Sequence, residues 1–98
     1  MTRFSKTYHV YILTNDWNTV LYVGLTNNIR RRVDEHKRGE GGVFTKRYKL
    51  HKLVYAQPFS DIDEAICAEK SLKRGTRARK IKLIESINPE WKDLSDPE

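Results

Sequence analysis

An arginine and a histidine stand four residues apart in a segment whose spacing predicts a helix. At 100° per residue, Arg32 and His36 fall in the same stripe as Ile29 and Val33, so both border the predicted buried face. A guanidinium offers a two-pronged grip on a phosphate, and an imidazole offers a second donor or a proton acceptor. A structural role is the alternative, because an arginine stem can snorkel and a histidine can hydrogen-bond a carbonyl.

A glutamate interrupts the apolar stripe of the next predicted helix. The face in question contains Ile62, Ala65, Ile66, Glu69 and Leu72. A carboxylate there must be paired, protonated or metal-bound, since an isolated buried charge is costly. Glu69 is therefore either in an ion pair with Arg32 or a lysine, or a ligand for a hard cation such as Mg²⁺. That cation often takes one carboxylate and fills its other positions with water and phosphate oxygens.

The sequence allows two roles each for two tyrosines and a glycine, and it predicts one role for the single cysteine. Tyr11 and Tyr22 belong to predicted strands, where tyrosines commonly pack, although their hydroxyls could line a cleft. Gly24 marks either a turn or a place where a ligand meets the backbone. Cys67 is predicted to be a small filler, and one cysteine excludes an internal disulfide or a multi-cysteine zinc site.

Basic residues exceed acidic ones, and the charges are segregated along the chain. Lys and Arg total 19 against 13 Asp and Glu, which gives a net charge of +6. The segment 70–82 holds seven basic residues and no acid, whereas 60–69 holds four acids and no base. A second basic run covers 30–52. Each run alone could be a solvated helix face, but together they favour a phosphate-binding surface.

Strand and turn signals predict an opening hairpin followed by a short helix. The β-branched and aromatic runs 8–13 and 19–23 flank a turn at 15–18, and Gly24 is predicted to end the second strand. A helix over 29–38 follows, with Asn27 or Asn28 as its cap and Gly39, Gly41 and Gly42 as its stop.

One more strand and two helices complete the predicted α+β domain. The third strand covers 52–56 and stops at Pro58, and the next helix enters at Ser60 and ends at Gly75. Thr76 caps a last helix that closes before Pro89. The predicted order is β-β-α-β-α-α, a small three-stranded antiparallel sheet flanked by helices.

Length and composition predict one domain with a core over about residues 8–94 and short flexible ends, including 95–98.

No apolar run approaches the roughly 20 residues that span a bilayer, and the start lacks the apolar stretch of a signal peptide. We therefore expect a cytoplasmic protein without a membrane partner.

The motifs together resemble those of the GIY-YIG nuclease superfamily, most closely its small stand-alone bacterial members. The matching positions are Val10-Tyr11-Ile12, Tyr22-Val23-Gly24, Arg32, His36 and Glu69. The ten-residue step from Tyr22 to Arg32 and the four further residues to His36 fit the family pattern, and the resemblance covers about 8–94. His9, Val23 and Leu25 depart from that pattern, and Leu25 removes one potential phosphate contact.

This resemblance implies a hydrolytic nuclease that uses one divalent metal, Mg²⁺ or another such as Mn²⁺. It implies that Tyr11 lies near the attacking water and that Tyr22 positions the water and the phosphate. Arg32 would stabilise the pentavalent phosphate, His36 would assist, and Glu69 would hold the metal. An arginine and a cation acting on phosphate charge are a physically sufficient source of rate acceleration.

The expected function is metal-dependent endonuclease activity on nucleic acid, DNA in preference to RNA, with a structure-selective role in DNA repair or processing. A targeting protein partner is expected because the chain leaves no room for a separate recognition domain. The predicted nucleic-acid contacts are Gly24, Arg30, Arg31, Lys46, Arg47, Lys73, Arg74 and Arg77. The alternative is a non-catalytic basic module that binds nucleic acid and retains the nuclease fold.

Overall fold

An antiparallel sheet with strand order β2-β1-β3 lies at the centre of the computed structural model, which describes residues 7–95. The elements are β1 (Tyr8–Thr14), β2 (Leu21–Thr26), α1 (Ile29–Lys37), α2 (Val43–Arg47), β3 (Lys52–Phe59), α3 (Ile62–Arg74) and α4 (Arg77–Ile87). The predicted α+β class and the predicted order of strands and longer helices are confirmed. The short helix α2, between α1 and β3, is an addition to that order.

The predicted hairpin is present, but β2 begins later and continues further than its residue types indicated. The side chain of Asn15 fixes the turn, because its Oδ1 accepts the Thr19 amide at 2.8 Å and its Nδ2 donates to the Thr19 hydroxyl at 2.8 Å. The prediction that Gly24 ends the strand is wrong. Gly24 lies inside β2, directly opposite Tyr11 of β1.

The third strand also runs past its predicted end. Pro58 was expected to stop it, yet β3 continues to Phe59 and Pro58 pairs with His9. The prediction is wrong because β3 is an edge strand of the sheet, where a residue without an N–H need not donate to a further strand.

Side-chain caps set where the helices begin. Asn28 accepts the Arg31 amide at 3.1 Å to cap α1, and Thr76 accepts the Arg79 amide at 3.1 Å to cap α4. Asp61, rather than the predicted Ser60, caps α3 by accepting the Asp63 amide at 3.1 Å. The predicted ends of α3 at Gly75 and of α4 before Pro89 are confirmed. None of the helices within residues 7–95 is long and apolar enough to cross a membrane.

The alternation of side chains along β1 places apolar residues on both faces of the sheet. Val10 and Ile12 pack in one cluster whose helical members are Ala65, Leu72 and Ile84 of α3 and α4. Tyr11 and Leu13 pack in a second cluster with Val33 of α1, Leu50 and Leu53. Helix α1 is therefore held against the face that carries Tyr11.

The segment after α4 connects α1 to β3 through hydrogen bonds. One carboxylate oxygen of Asp93 accepts from Lys37 Nζ at 2.6 Å, and the other accepts the Leu53 amide at 3.2 Å. Burial acts to raise the pKa of Asp93, but hydrogen bonds from Lys37, Ser95 and Leu53 outweigh it and hold that pKa below its usual value. Of the predicted flexible ends, residues 1–6 and 96–98 lie outside the described residues, and Ser95 donates to Asp93.

Candidate active site

Tyr11 reaches its position because Gly24 has no side chain. The Tyr11 ring is buried and lies across β2 at its cross-strand partner. A Cβ added at Gly24 would stand 2.9 Å from Cε1 of Tyr11 and closer still to Cζ and the hydroxyl oxygen. Gly24 therefore makes room for Tyr11. From the sequence this glycine was interpreted as a turn or as a place where a ligand meets the backbone, and the observed role is neither of these.

His36 of α1 lies beside the two tyrosines of the sheet. Its ring centroid lies 6.4 Å from that of Tyr11 and 6.0 Å from that of Tyr22. A Cβ added at Gly41 would stand 2.7 Å from Cγ of His36 and closer to Nδ1 and Cε1. From the sequence, Gly41 was predicted only as part of the stop of α1, although the cluster of glycines after α1 was the signal for this contact.

The imidazole of His36 is buried and neutral. Neither ring nitrogen has a hydrogen-bond partner among residues 7–95, although buried polar atoms usually have one. Burial and the neighbouring charge of Arg32 lower the pKa of His36 below 6.5, and Glu35 acts in the opposite direction. At neutral pH a ring nitrogen of this side chain can therefore act as a proton acceptor.

The hydroxyl of Tyr11 is also neutral at physiological pH. Burial, followed by the neighbouring Tyr22, raises the pKa of Tyr11 well above its usual value near 10, with Arg32 opposing and Glu69 and Glu35 adding to the rise. A neutral phenol can orient a water molecule through hydrogen bonds, but it is a poor proton acceptor.

Arg32 lies at the border of the buried face, as its helical phase predicts. Its side chain is 36% exposed, and its Nη1 lies 3.7 Å from the carboxylate of Glu35. Arg31 approaches the same carboxylate at 3.8 Å but is 61% exposed. Glu35 was missed from the sequence, although its spacing from both arginines is the signal for such pairs.

Glu69 of α3 is largely buried and paired with a lysine. Its side chain is 17% exposed, and its carboxylate lies 2.9 Å from Nζ of Lys73. Of the two partners considered from the sequence, the structure therefore shows a lysine and not Arg32. Because the Lys73 side chain is long and exposed, its ammonium group can move away from the Glu69 carboxylate, and a cation could then take its place.

The donor set around Glu69 suits a cation that depends on its substrate for other ligands. No group of three or more His, Cys, Asp or Glu side chains that could hold a metal occurs among the described residues. Mg²⁺ is commonly bound by one or two carboxylates with water and phosphate oxygens. Glu69 therefore fits as the protein's ligand for such an ion.

The cations predicted to bind nucleic acid are distributed over the four helices described here. Arg30 and Arg31 are exposed on α1, and Lys46 and Arg47 are exposed on α2. Arg74 lines a cavity with Lys70 and Arg79 at the corner between α3 and α4.

Besides Arg31, which pairs with Glu35, two of the predicted contacts are engaged within the protein. Lys73 pairs with Glu69, and Arg77 donates from Nη2 to the carbonyl oxygen of Asn18 at 3.0 Å, beside the β1–β2 turn. Both side chains are exposed and keep the capacity to reach a phosphate.

Comparison with known proteins identifies the family. A family model described as the GIY-YIG catalytic domain matches residues 7–82. The chain belongs to the GIY-YIG family. This family forms an endonuclease superfamily, and the match contains all five positions singled out for chemistry.

Relatives of this GIY-YIG chain extend over most of its length. A UPF0213 protein of Lacticaseibacillus paracasei is 34% identical over 88 residues, which cover 90% of this chain and 98% of the relative. A UPF0213 protein of Staphylococcus haemolyticus is 37% identical, covering 80% of this chain and 94% of the relative. The solution NMR structure of a UPF0213 protein from Bacillus halodurans superposes with a TM-score of 0.58 at 26% identity, covering 89% and 92% of the two chains.

Gly24→Ala should destabilise the protein by roughly 1–3 kcal/mol, because the new methyl group overlaps the buried Tyr11 ring. Gly75→Ala is the matched control, since a Cβ there meets chiefly the flexible Arg79 side chain at 3.3 Å. Urea denaturation of both variants measures the difference. Equal effects of the two substitutions would show that Gly24 is not needed for the position of Tyr11.

The neutral state of His36 should make stability depend on pH. Because folding lowers its pKa from 6.5, its contribution is fully present above that pH and is lost as the pH falls through the folded-state pKa. The free energy of unfolding should therefore decline more steeply below pH 6.5 in the wild type than in His36→Asn. His9, whose pKa burial also lowers, is present in both proteins and cancels in the comparison. Parallel pH profiles would contradict the assignment.

Proposed function

We propose that this GIY-YIG protein is a metal-dependent endonuclease that hydrolyses phosphodiester bonds in nucleic acid with Mg²⁺ or Mn²⁺. The observation that carries the proposal is the buried, neutral His36 imidazole, whose nitrogens lack partners among residues 7–95, with Tyr11 and Tyr22 beside it. A structural histidine would be expected to hydrogen-bond its surroundings, whereas one that awaits water and substrate would not.

The proposed reaction is attack of a water oxygen on phosphorus, with cleavage of the bond to the leaving oxygen, which takes up a proton from solvent. Tyr11 orients the water, and His36 accepts its proton as the new phosphorus–oxygen bond forms. Tyr22 positions the phosphate, and the guanidinium of Arg32 stabilises the charge that develops on the pentavalent phosphate.

Glu69 is the proposed ligand of the divalent cation, which would neutralise phosphate charge when bound. Lys73 competes with that ion for the carboxylate, because its ammonium group lies 2.9 Å away. This arrangement keeps the largely buried carboxylate paired when the cation is absent, which limits the cost of burying its charge.

The proposed substrate is DNA in preference to RNA, in the setting of structure-selective repair or processing in the cytoplasm, with a targeting protein as a partner. The exposed cations on α1, α2, α3 and α4 support contact with several phosphates. Cleavage of flap, bubble, branched and RNA substrates with Mg²⁺ or with EDTA tests both the activity and its selectivity.

One observation favours a second function, a non-catalytic module that binds nucleic acid. The Glu69–Lys73 ion pair is what a purely structural carboxylate would form. In that case binding would persist and weaken steeply with salt, because phosphate contacts dominate it, but Mg²⁺ would produce no cleavage.

Glu69→Gln should abolish cleavage and should also weaken the Mn²⁺ binding measured by calorimetry, because the amide oxygen carries no charge. Lys73→Ala should strengthen Mn²⁺ binding, since it removes the competing ammonium group. Glu64→Gln, an exposed acid in the first turn of the same helix, is the control and should change neither property. Unaltered Mn²⁺ binding by Glu69→Gln would exclude Glu69 as the ligand.

Arg32→Ala should lower single-turnover cleavage by roughly 10²–10³-fold, following the loss of about 3–4 kcal/mol of transition-state stabilisation. Arg31→Ala is the matched control, because it removes the same charge and a contact to the same Glu35 carboxylate from a more exposed position. Its effect should appear in affinity and its salt dependence. Equal losses of turnover at saturating substrate would reject a special role for Arg32.

A further inference from the structure

Helix α2 places two aromatic rings at the surface beside the candidate active site. Phe44 is 49% exposed and Tyr48 is 42% exposed, and their ring centroids lie 4.8 Å apart. Phe44 also lies 6.1 Å from Tyr22, with an angle of 30° between the ring planes. Tyr22, Phe44 and Tyr48, here called the aromatic row, thus lead from the site to the solvent.

The surroundings of the aromatic row are positively charged. Lys46 and Arg47 lie on α2, which contains no acidic residue, and both are exposed. The guanidinium carbon of Arg47 lies 5.8 Å from the centroid of the Tyr48 ring. Exposed rings that alternate with cations are suited to single-stranded nucleic acid, because bases stack on the rings while cations bind the phosphates.

The aromatic row is held in place before any ligand binds. Thr45, between the exposed residues, is buried, and its hydroxyl donates to the Gly42 carbonyl oxygen at 3.3 Å. The Leu50 amide donates to the Thr45 carbonyl oxygen at 2.9 Å, and Leu50 is itself buried. This anchoring turns Phe44 and Tyr48 outward and reduces the ordering cost of binding.

The position of the aromatic row fixes which nucleotide it would contact. The Tyr22 ring centroid lies 6.0 Å from that of His36 and 6.1 Å from that of Phe44. A base on Phe44 would therefore belong to a nucleotide near the phosphate at His36. Bases within a duplex already stack on their neighbours, so only an unpaired base can lie on these rings.

We propose that Phe44 and Tyr48 stack an unpaired base close to the scissile phosphate, so that the preferred substrate carries a single-stranded segment there. This inference rests on the proposed function, whose phosphate-binding site it extends. The exposed cations of α2 match the charge of a nucleic-acid strand.

Fluorescence anisotropy in EDTA tests the aromatic row without requiring turnover. A labelled single-stranded oligonucleotide is compared with the duplex of the same sequence, for the wild type and for Phe44→Leu and Tyr48→Leu. Each variant should weaken single-strand binding about tenfold and leave duplex binding unchanged, because leucine keeps an apolar side chain but removes the stacking ring. Trp17→Leu, which alters an 80% exposed aromatic residue in the β1–β2 turn, is the control and should change neither.

A fluorescent base analogue locates the stacking. A 2-aminopurine moved along the oligonucleotide should be quenched by the wild type at one or two positions, and Phe44→Leu should abolish that quenching. Equal weakening of single-strand and duplex binding, or no weakening, would overturn the proposal. Concentration-dependent dimers that Phe44→Leu dissociates while nucleic-acid binding is retained would also overturn it, because the row would then join two copies of the chain.

Cleavage assays separate this proposal from the function on which it rests. Ring-dependent binding of single strands without cleavage of any substrate in Mg²⁺ would support the aromatic row and overturn the endonuclease. Equal cleavage of fully paired and single-stranded substrates, unaffected by Phe44→Leu, would support the endonuclease and overturn the aromatic row.

Discussion

The close approach of the Tyr11 ring to the backbone of Gly24 is the constraint on which the arrangement of the site depends. Because Gly24 has no Cβ, a large side chain from the central strand can lie across the neighbouring strand. His36 of α1 then lies within 6.4 Å of that ring, and Gly41 leaves the corresponding space for the imidazole. Two small residues on separate segments thus position two large side chains of the candidate site.

The side chains of the site form an uncharged pair and a charged pair, and burial keeps the first pair uncharged. It raises the pKa of Tyr11 and lowers that of His36, so both remain uncharged near neutral pH. Arg32 and Glu69 carry the charges, and each has a counter-ion in the protein, Glu35 for the former and Lys73 for the latter. The uncharged pair is suited to handling water, and the charged pair is suited to phosphate and cation.

Helical phase and capping chemistry are local properties, which explains what the sequence could predict. The phase placed Arg32 and His36 at the border of one buried face and Glu69 within another, and Asn28 and Thr76 cap the helices as expected. Gly24 and Pro58 were misjudged because their roles depend on which strands lie beside them. Helix α2 was missed because five residues are too few to show a helical period. The aromatic row was missed as well, because it depends on a tertiary contact between α2 and Tyr22.

The hydrogen bonds of Asp93 give the segment beyond α4 a mechanical influence on the site. This carboxylate holds the end of α1 to β3, although it lies beyond residues 7–82, where the GIY-YIG domain is matched. A force applied at Asp93, by a fused domain or by a bound protein, would be transmitted to the C-terminal turn of the helix that carries His36. The structural unit that keeps His36 in position therefore extends beyond residue 82, where the matched domain ends.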